Sequence, residues 1–227
     1  NQLEDSLNTE IIKATEIKIG PNSHKGTIDM FLTPPEYRGV KAYDLVEMIR
    51  SEILKELVPI ISDHLVVCNI GLPSQELHSI DDQPSNFYML GTMGLASSIG
   101  LGLALSQKEK VISIDGDGSV LTNLGTLPTI ANNIANNFIL LIIDNGSYGS
   151  TGDQPTYAGK KTSLSAIAKA CGCENVIECK AEDTVVAVRD AIDGNQMTII
   201  VCKCDSGNVK VPVITMDPVV IRDRFMK

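Results

Sequence analysis

The sequence predicts a doubly wound α/β domain, a mainly parallel sheet with helices on both faces. Three observations predict it. Apolar runs of strand length alternate with stretches at helical spacing from about residue 43 onward. The runs "KVISID" (110–115) and "NFILLIID" (137–144) are almost continuously apolar, as strands covered on both faces must be. Gly, Asp, Asn and Ser gather just beyond those runs, where such sheets place their ligands. At 227 residues and 43% hydrophobic, the chain can bury one substantial core of this kind.

The elements follow in order. Residues 1–37, with "GPNSHKG" and the pair Pro34 and Pro35 but no sustained period, read as an extension or arm ahead of a domain at 38–227. "YDLVEMIRSEILKEL" (43–57) sets Leu45, Val46, Ile49, Ile53, Leu54 and Leu57 at helical spacing. "HLVVCNI" (64–70) reads as a strand, and "QELHSIDDQP" after it as a loop holding a solvated His78 and a turn at Asp81 and Asp82. "GLASSIGLGLALS" (94–106) reads as a helix whose small residues form a stripe. Each glycine there costs up to about 1 kcal/mol against alanine, so the stripe is expected to pack closely on the sheet. Residues 110–115 form a strand, 118–134 a helix interrupted near Pro128, and 137–144 a strand. A long loop (145–162) precedes the helix "SLSAIAKACG", a strand near "NVIEC", the helix "EDTVVAVRDAID", the strand "MTIIVCKC" and a last helix from about Pro218.

Charge and composition exclude several classes. A formal net charge of −9 argues against nucleic acid, which needs a basic face to release counterions. No run approaches the roughly 18 apolar residues of a membrane helix, and "NQLEDSLNTE" lacks the basic and apolar regions of a signal peptide. A cytoplasmic protein with no membrane or nucleic-acid partner is expected, although a first residue of Asn leaves the native start open. The six cysteines do not form a secreted disulfide framework. Cys202 and Cys204 would share one face of a strand and read as buried small side chains, since zinc sites favour C-x2-C over C-x-C.

The stretch "SIDGDGSVLTNLG" (113–125) carries the chemistry. An EF-hand loop from Asp115 would need glycine at its sixth position and glutamate at its twelfth, where Val120 and Thr126 stand. Neither a Walker A triplet nor a G-x-G-x-x-G fingerprint is present. Alone, the stretch could be a strand-to-helix turn in which Ser119 caps the helix and Asp117 offsets its dipole. It has a counterpart, however. Asn145 lies 28 residues after Asp117, at the end of the next strand, in "IIDNGSYG". Adjacent parallel strands would bring the Asp117 carboxylate, the Asn145 amide oxygen and the Ser147 carbonyl to one sheet edge. Hard oxygens of low total charge beside a helix N-terminus suit Mg2+ held with a diphosphate.

These motifs resemble the thiamine-diphosphate-dependent (ThDP) 2-oxo acid decarboxylases. "GDGS" followed by "NGSYG" is similar to the ThDP motif, and "GTMGLASSIGLGLAL" resembles the stretch ahead of it in the decarboxylase and acetolactate-synthase branch. "NIGLPSQEL", "DNGSYGSTGDQPT" and the ending "RFMK" are most similar to sulfopyruvate decarboxylase β subunits, then to phosphonopyruvate decarboxylases; the likeness covers about residues 40–227.

The resemblance implies a carboxy-lyase subunit with thiamine diphosphate and Mg2+ as cofactors. It implies Asp117, Asn145 and the Ser147 carbonyl as metal ligands. Gly116, Gly118, Ser119, Tyr148 and Gly149 would line the diphosphate, with Ser74 on its other side. The segment Gly91, Thr92 and Met93 would meet the aminopyrimidine: the Gly91 carbonyl on its amino group, Met93 as the apolar wedge beneath the bent cofactor. Substrate and cofactor contacts are also expected from Ser150, Thr151 and Gln154. The glutamate that such enzymes use to activate the aminopyrimidine lies on a separate domain, so no catalytic acid or base is expected on this chain. The resemblance thus implies a hetero-oligomer with a pyrimidine-binding α subunit, acting on a small anionic 2-oxo acid. Sulfopyruvate, decarboxylated to sulfoacetaldehyde in coenzyme M biosynthesis, is the leading substrate; phosphonopyruvate decarboxylase or an acetolactate-synthase-like subunit is the alternative. A ferredoxin oxidoreductase β subunit would need C-x-x-C cluster ligands, which the chain lacks. A non-catalytic interaction protein that keeps the fold is the reading from another class.

Overall fold

A computed structural model describes residues 48–227. The expectations for the arm at 1–37 and for the helical spacing at 43–47 lie outside the described residues. Helix α1 (Arg50–Ile61) leads into β1 (Leu65–Cys68), α2 (Leu72–Ile80), β2 (Asn86–Tyr88), α3 (Ala96–Ser106) and β3 (Val111–Gly116). Then come α4 (Asp117–Thr122), α5 (Thr126–Asn132), β4 (Phe138–Asp144) and a small pair, β5 (Ser147–Tyr148) and β6 (Gln154–Pro155). The chain closes with α6 (Leu164–Ala170), β7 (Val176–Lys180), α7 (Thr184–Asp193), β8 (Thr198–Lys203) and α8 (Pro218–Phe225).

Six strands form one sheet in the order β2-β1-β3-β4-β8-β7, every neighbouring pair parallel. The central strand shows why apolar runs dictate this layout. All seven residues of β4 are buried. Ile139, Leu141 and Ile143 pack with Ile53, Leu57, Leu77, Val188 and Ile221 of α1, α2, α7 and α8 on one face. Leu140 and Ile142 pack with Leu101, Val120, Leu127 and Leu164 of α3 to α6 on the other. Each such fully buried side chain contributes about 1.5–3 kcal/mol of transfer free energy. The doubly wound α/β architecture is the one the sequence predicts.

The stripe on α3 packs as its composition requires, but only in part. A Cβ on Gly100 would stand 1.9 Å from Ser113 Oγ and 2.9 Å from Phe138, so the helix lies directly on β3 and β4. Ser113 in turn donates to the Ala96 carbonyl at 3.0 Å. Gly102 has open space around it.

Four local expectations need correction. Residues 72–80 are helix α2 rather than loop, and His78 sits half-buried on it, edge-on to the Tyr88 ring at 5.3 Å. The helix is short, nine residues opening on Gly71 and Pro73, so a turn signal outweighs the single repeat of its apolar residues. The first helix starts at Arg50: Met48 donates to Asp205 Oδ2 at 2.9 Å and Ile49 is extended, bridged to Asp205. The helix expected at 118–134 is two helices broken at 123–125, not at Pro128. Pro128 stands in the first turn of α5, where its missing N–H costs no helix bond. Asn123 makes the break by donating to the Gly94 carbonyl at 2.8 Å and to Thr126 Oγ1 at 2.8 Å. Finally, the long loop contains the β5–β6 hairpin.

Candidate active site

The sheet order places a topological switch between β1 and β3: after β1 the chain runs outward to β2, then returns to form β3 on the other side. The crevice beyond the carboxyl ends of such strands is where α/β folds bind ligands. Three polar residues emerge there: Asn69 after β1, Asp117 after β3 and Asn145 after β4. β3 pairs with β4 so that Gly116 is opposite Ile143. Asp117 therefore comes level with Asp144, and Asn145 follows one residue on.

Asp117 opens α4 directly, with no intervening loop, and is 2% exposed. The Thr156 hydroxyl donates to its carboxylate. Burial pushes its pKa up to about 6, the Thr156 bond pulling it down and the Asp144 charge adding to the rise. Asp144 itself is paired with Lys203 of β8. Asp115, two residues earlier, is also raised to about 6 by burial, and the Gly116 N–H, which donates to its Oδ1 at 3.0 Å, offsets part of that rise.

The turn after β4 is built around Asn145. Its Oδ1 accepts the Ser147 N–H at 3.1 Å, a side-chain turn that aims the next residues back over the sheet edge. Gly146 takes φ +65 in a site where a Cβ would lie 3.1 Å from the Gly159 Cα, so glycine is required on both counts. Thr156 closes the hairpin through its N–H to the Gly146 carbonyl at 2.8 Å, while its hydroxyl reaches Asp117. One buried threonine thus ties the β4 turn to the β3 carboxylate.

The segment expected at an aminopyrimidine, Gly91 to Met93, follows the edge strand β2 and is exposed, Met93 at 40%. It is anchored one residue later: the Gly94 N–H donates to Ser119 Oγ at 2.9 Å. Ser119 in turn donates its O–H to Asn69 Oδ1 at 3.1 Å. Its hydroxyl therefore joins three strand ends rather than capping α4, whose N-cap is Gly116. Ser74 does not present an open hydroxyl to the crevice; it is 1% exposed and donates to the carbonyls of Cys68 and Asn69 at 3.1 and 2.7 Å. Beside these groups lies a cavity of about 470 Å³, walled by Gly71 and Leu72 at the start of α2, by Gly149 and Ser150, and by residues 208–210.

The residues present fit a hard divalent cation. Asp117 offers a carboxylate, Asn145 Oδ1 a second lone pair, and Ser147 a carbonyl whose register partner, Pro155, has no N–H to give it. The Asn145 Nδ2 donor is buried without an acceptor, which suits an anionic oxygen such as one of a diphosphate beside the cation rather than the cation itself. Among the described residues no group of three or more His, Cys, Asp or Glu forms an alternative metal site, and all six cysteines are free thiols.

Asn69 and Thr156 were not singled out by sequence reasoning. Asn69 obeys the rule that found Asp117 and Asn145, a polar residue just past an apolar strand. Thr156 carries no such mark, because its role exists only across 39 residues of chain.

With this geometry in place, comparison with known proteins is decisive. The family described as "Thiamine pyrophosphate enzyme, C-terminal TPP binding domain" matches residues 72–202, more than half of the chain. This chain belongs to the thiamine pyrophosphate enzyme family. It is 49% identical over 181 residues to "Sulfopyruvate decarboxylase subunit beta" of Methanococcus maripaludis, covering 80% of this chain and 97% of that one. The protein of the same name from Methanocaldococcus jannaschii is 47% identical, with 78% and 95% covered. "Phosphonopyruvate decarboxylase" of Streptomyces hygroscopicus is 40% identical over 65% of this chain, which spans 36% of that longer protein. Among solved structures, the 2-oxoglutarate:ferredoxin oxidoreductase of Magnetococcus marinus shares the fold, with a TM-score of 0.57 at 17% identity over 70% of this chain and 62% of the other. Among the described residues no helix is long and apolar enough to cross a membrane.

Proposed function

We propose that the chain is the β subunit of a ThDP- and Mg2+-dependent sulfopyruvate decarboxylase, yielding sulfoacetaldehyde and CO2 in the cytoplasm, on the route to coenzyme M. The observation that carries the proposal is the convergence of Asp117, Asn145 and Ser147 at adjacent strand ends, in a chain nearly co-extensive with relatives named as that subunit. When bound, thiamine diphosphate supplies the electron sink for loss of CO2 from a 2-oxo acid.

The chain's own part is to bind and orient. Asp117, Asn145 and the Ser147 carbonyl hold Mg2+. Backbone N–H groups of Gly118 and Ser119 receive the diphosphate oxygens, with Gly116, Tyr148 and Gly149 lining the same place and the Gly116 N–H held by Asp115 Oδ1; Ser74 supports the β1 end behind them. Gly91, Thr92 and Met93 receive the aminopyrimidine, the Gly91 carbonyl accepting from its amino group and Met93 supporting the ring stack. A proton must also be moved at the aminopyrimidine, and Glu76 is not the group for it, since it is fully buried and doubly bonded to Arg50. The glutamate comes from a pyrimidine-binding α subunit, which covers the exposed Leu90 to Met93 segment.

The test is calorimetry of thiamine diphosphate with Mg2+ on the chain alone and with that subunit, followed by CO2 release from sulfopyruvate, phosphonopyruvate and pyruvate. Cofactor binding with sulfopyruvate preferred supports the proposal. Preference for phosphonopyruvate, the second reading favoured by the Streptomyces relative, overturns the substrate assignment. No cofactor binding in either state makes the chain a scaffold that keeps only the fold.

A further inference from the structure

Arg50, Glu76 and Asn208 meet at a node outside the metal motif. Arg50, on α1, is 7% exposed and Glu76, on α2, is fully buried. The guanidinium engages the carboxylate as a fork, Nε to Oε2 at 2.7 Å and Nη2 to Oε1 at 2.9 Å. Nη2 also donates to Asn208 Oδ1 at 3.0 Å. Asn208 carries the link onward: its Nδ2 donates to the Gly149 carbonyl at 3.2 Å and to Asp153 Oδ1 at 3.4 Å. Asp153 Oδ1 in turn accepts from Ser147 Oγ at 3.0 Å. The Val209 N–H reaches back to Glu76 Oε1 at 3.4 Å. All three walls of the 470 Å³ cavity are thereby fastened to one ion pair.

Burying an ion pair contributes little net stability, because desolvation offsets the attraction; its better-attested use is to fix geometry. The turn that it fixes here needs holding. Asp153 sits at φ +56, a left-handed conformation that few non-glycine residues take, Asp among those that tolerate it, and its carboxylate is tied down by Ser147 and Asn208. The fit is close as well: a Cβ on Gly149 would lie 2.5 Å from Asn208 Oδ1.

We propose that Asn208 is a positioning residue for the cofactor-binding turn, setting Ser147 to Gly149 at the right distance from Asp117 through its bonds to Gly149 and Asp153. This rests on the cofactor reading given under Proposed function. Asn208→Asp separates the two halves of the role: it keeps the oxygen that accepts from Arg50 but loses the donor to Gly149 and sets a second carboxylate against Asp153. The experiment titrates thiamine diphosphate into the full chain with its partner subunit, at several Mg2+ concentrations, alongside thermal unfolding. Expected for N208D is a Tm within a few degrees of wild type, with cofactor affinity lower by about tenfold or more and a higher Mg2+ requirement, the size of a lost hydrogen-bonded brace. Asn208→Ala should weaken binding similarly and lower Tm further, since Arg50 loses a partner. Wild-type binding with N208D unchanged in affinity and Mg2+ dependence overturns the inference alone. A wild-type protein that binds no thiamine diphosphate overturns the cofactor reading and this inference with it.

Discussion

The ring of Tyr148 fills the space that a side chain on Gly118 would need: a Cβ built there stands 2.3 Å from Tyr148 Cε1 and 2.8 Å from Cδ1. Gly118 is thus required for packing, quite apart from any approach of phosphate to its N–H. Gly118→Ala should lower stability by about 1–3 kcal/mol, the usual cost of overpacking, and weaken thiamine diphosphate binding by displacing the turn that holds Ser147. Urea unfolding of G118A, Tyr148→Ala and the double variant measures the coupling. The double variant should recover most of the loss, because the clash is gone; additivity would show that the ring is not what excludes the side chain.

The two glycines of α3 should respond in opposite directions. Gly100→Ala drives a methyl group against Ser113 and Phe138 and should cost about 1–3 kcal/mol or more. Gly102→Ala meets nothing within 4 Å and should add about 0.5–1 kcal/mol through helix propensity. Denaturant midpoints of the two variants decide it, and equal effects would contradict the direct contact of α3 with the sheet.

Asp82 should contribute to stability at neutral pH and not in acid. Arg224 donates to it at 2.6 and 2.9 Å and the Tyr88 hydroxyl at 2.9 Å, the Arg224 bonds foremost in holding its carboxyl below 3.8. A folded pKa below the unfolded one means that the ionised form stabilises the fold above pH 3.8, and that this is lost as pH falls through the depressed value. Since the side chain is 32% exposed, solvent screening limits the effect to about 1 kcal/mol. Asp82→Asn should therefore lower Tm at pH 7, and the gap to wild type should narrow below pH 3.8. A gap constant with pH would mean that shape, not charge, holds α8 to the α2–β2 connection.

Cys179 and Cys202 stand opposite each other on β7 and β8. The neighbouring Cys202 thiol, foremost, lowers the Cys179 pKa below the usual thiol range, while Cys202 is pushed up by the presence of Cys179 and by burial. Cys68 is fully buried and pushed up to about 12. In native protein at pH 7.5, iodoacetamide should modify Cys179 before Cys68 or Cys202, since the thiolate is the nucleophile. Peptide mapping by mass spectrometry checks the order. In urea the preference should vanish.

Much of this was legible in the residues. The runs 110–115 and 137–144 announced buried parallel strands, and polar residues just beyond them announced where a ligand would sit. Helix α2 was not legible, because Gly71 and Pro73 at its start carry a turn signal and its nine residues are too few for Leu72, Leu77 and Ile80 to repeat a period. The break between α4 and α5 was misplaced for a related reason. Pro128 is the loudest local signal, but the amide of Asn123 bonding to Gly94 decides where the helix stops.

Sequence by itself determined what is local and repeated: the alternation of strands and helices, the apolar faces, and the residue types at the strand ends. Tertiary structure alone decided which of those ends became neighbours and what each polar group bonds to. Thr156 reaches Asp117, Ser119 joins Gly94 to Asn69, and Asn208 links Arg50 to Gly149, each across tens of residues. The reason is physical. Burying apolar surface is non-directional and can be read from composition and period, whereas a hydrogen bond needs its donor and acceptor within about 3 Å, a distance set only when the whole sheet has assembled.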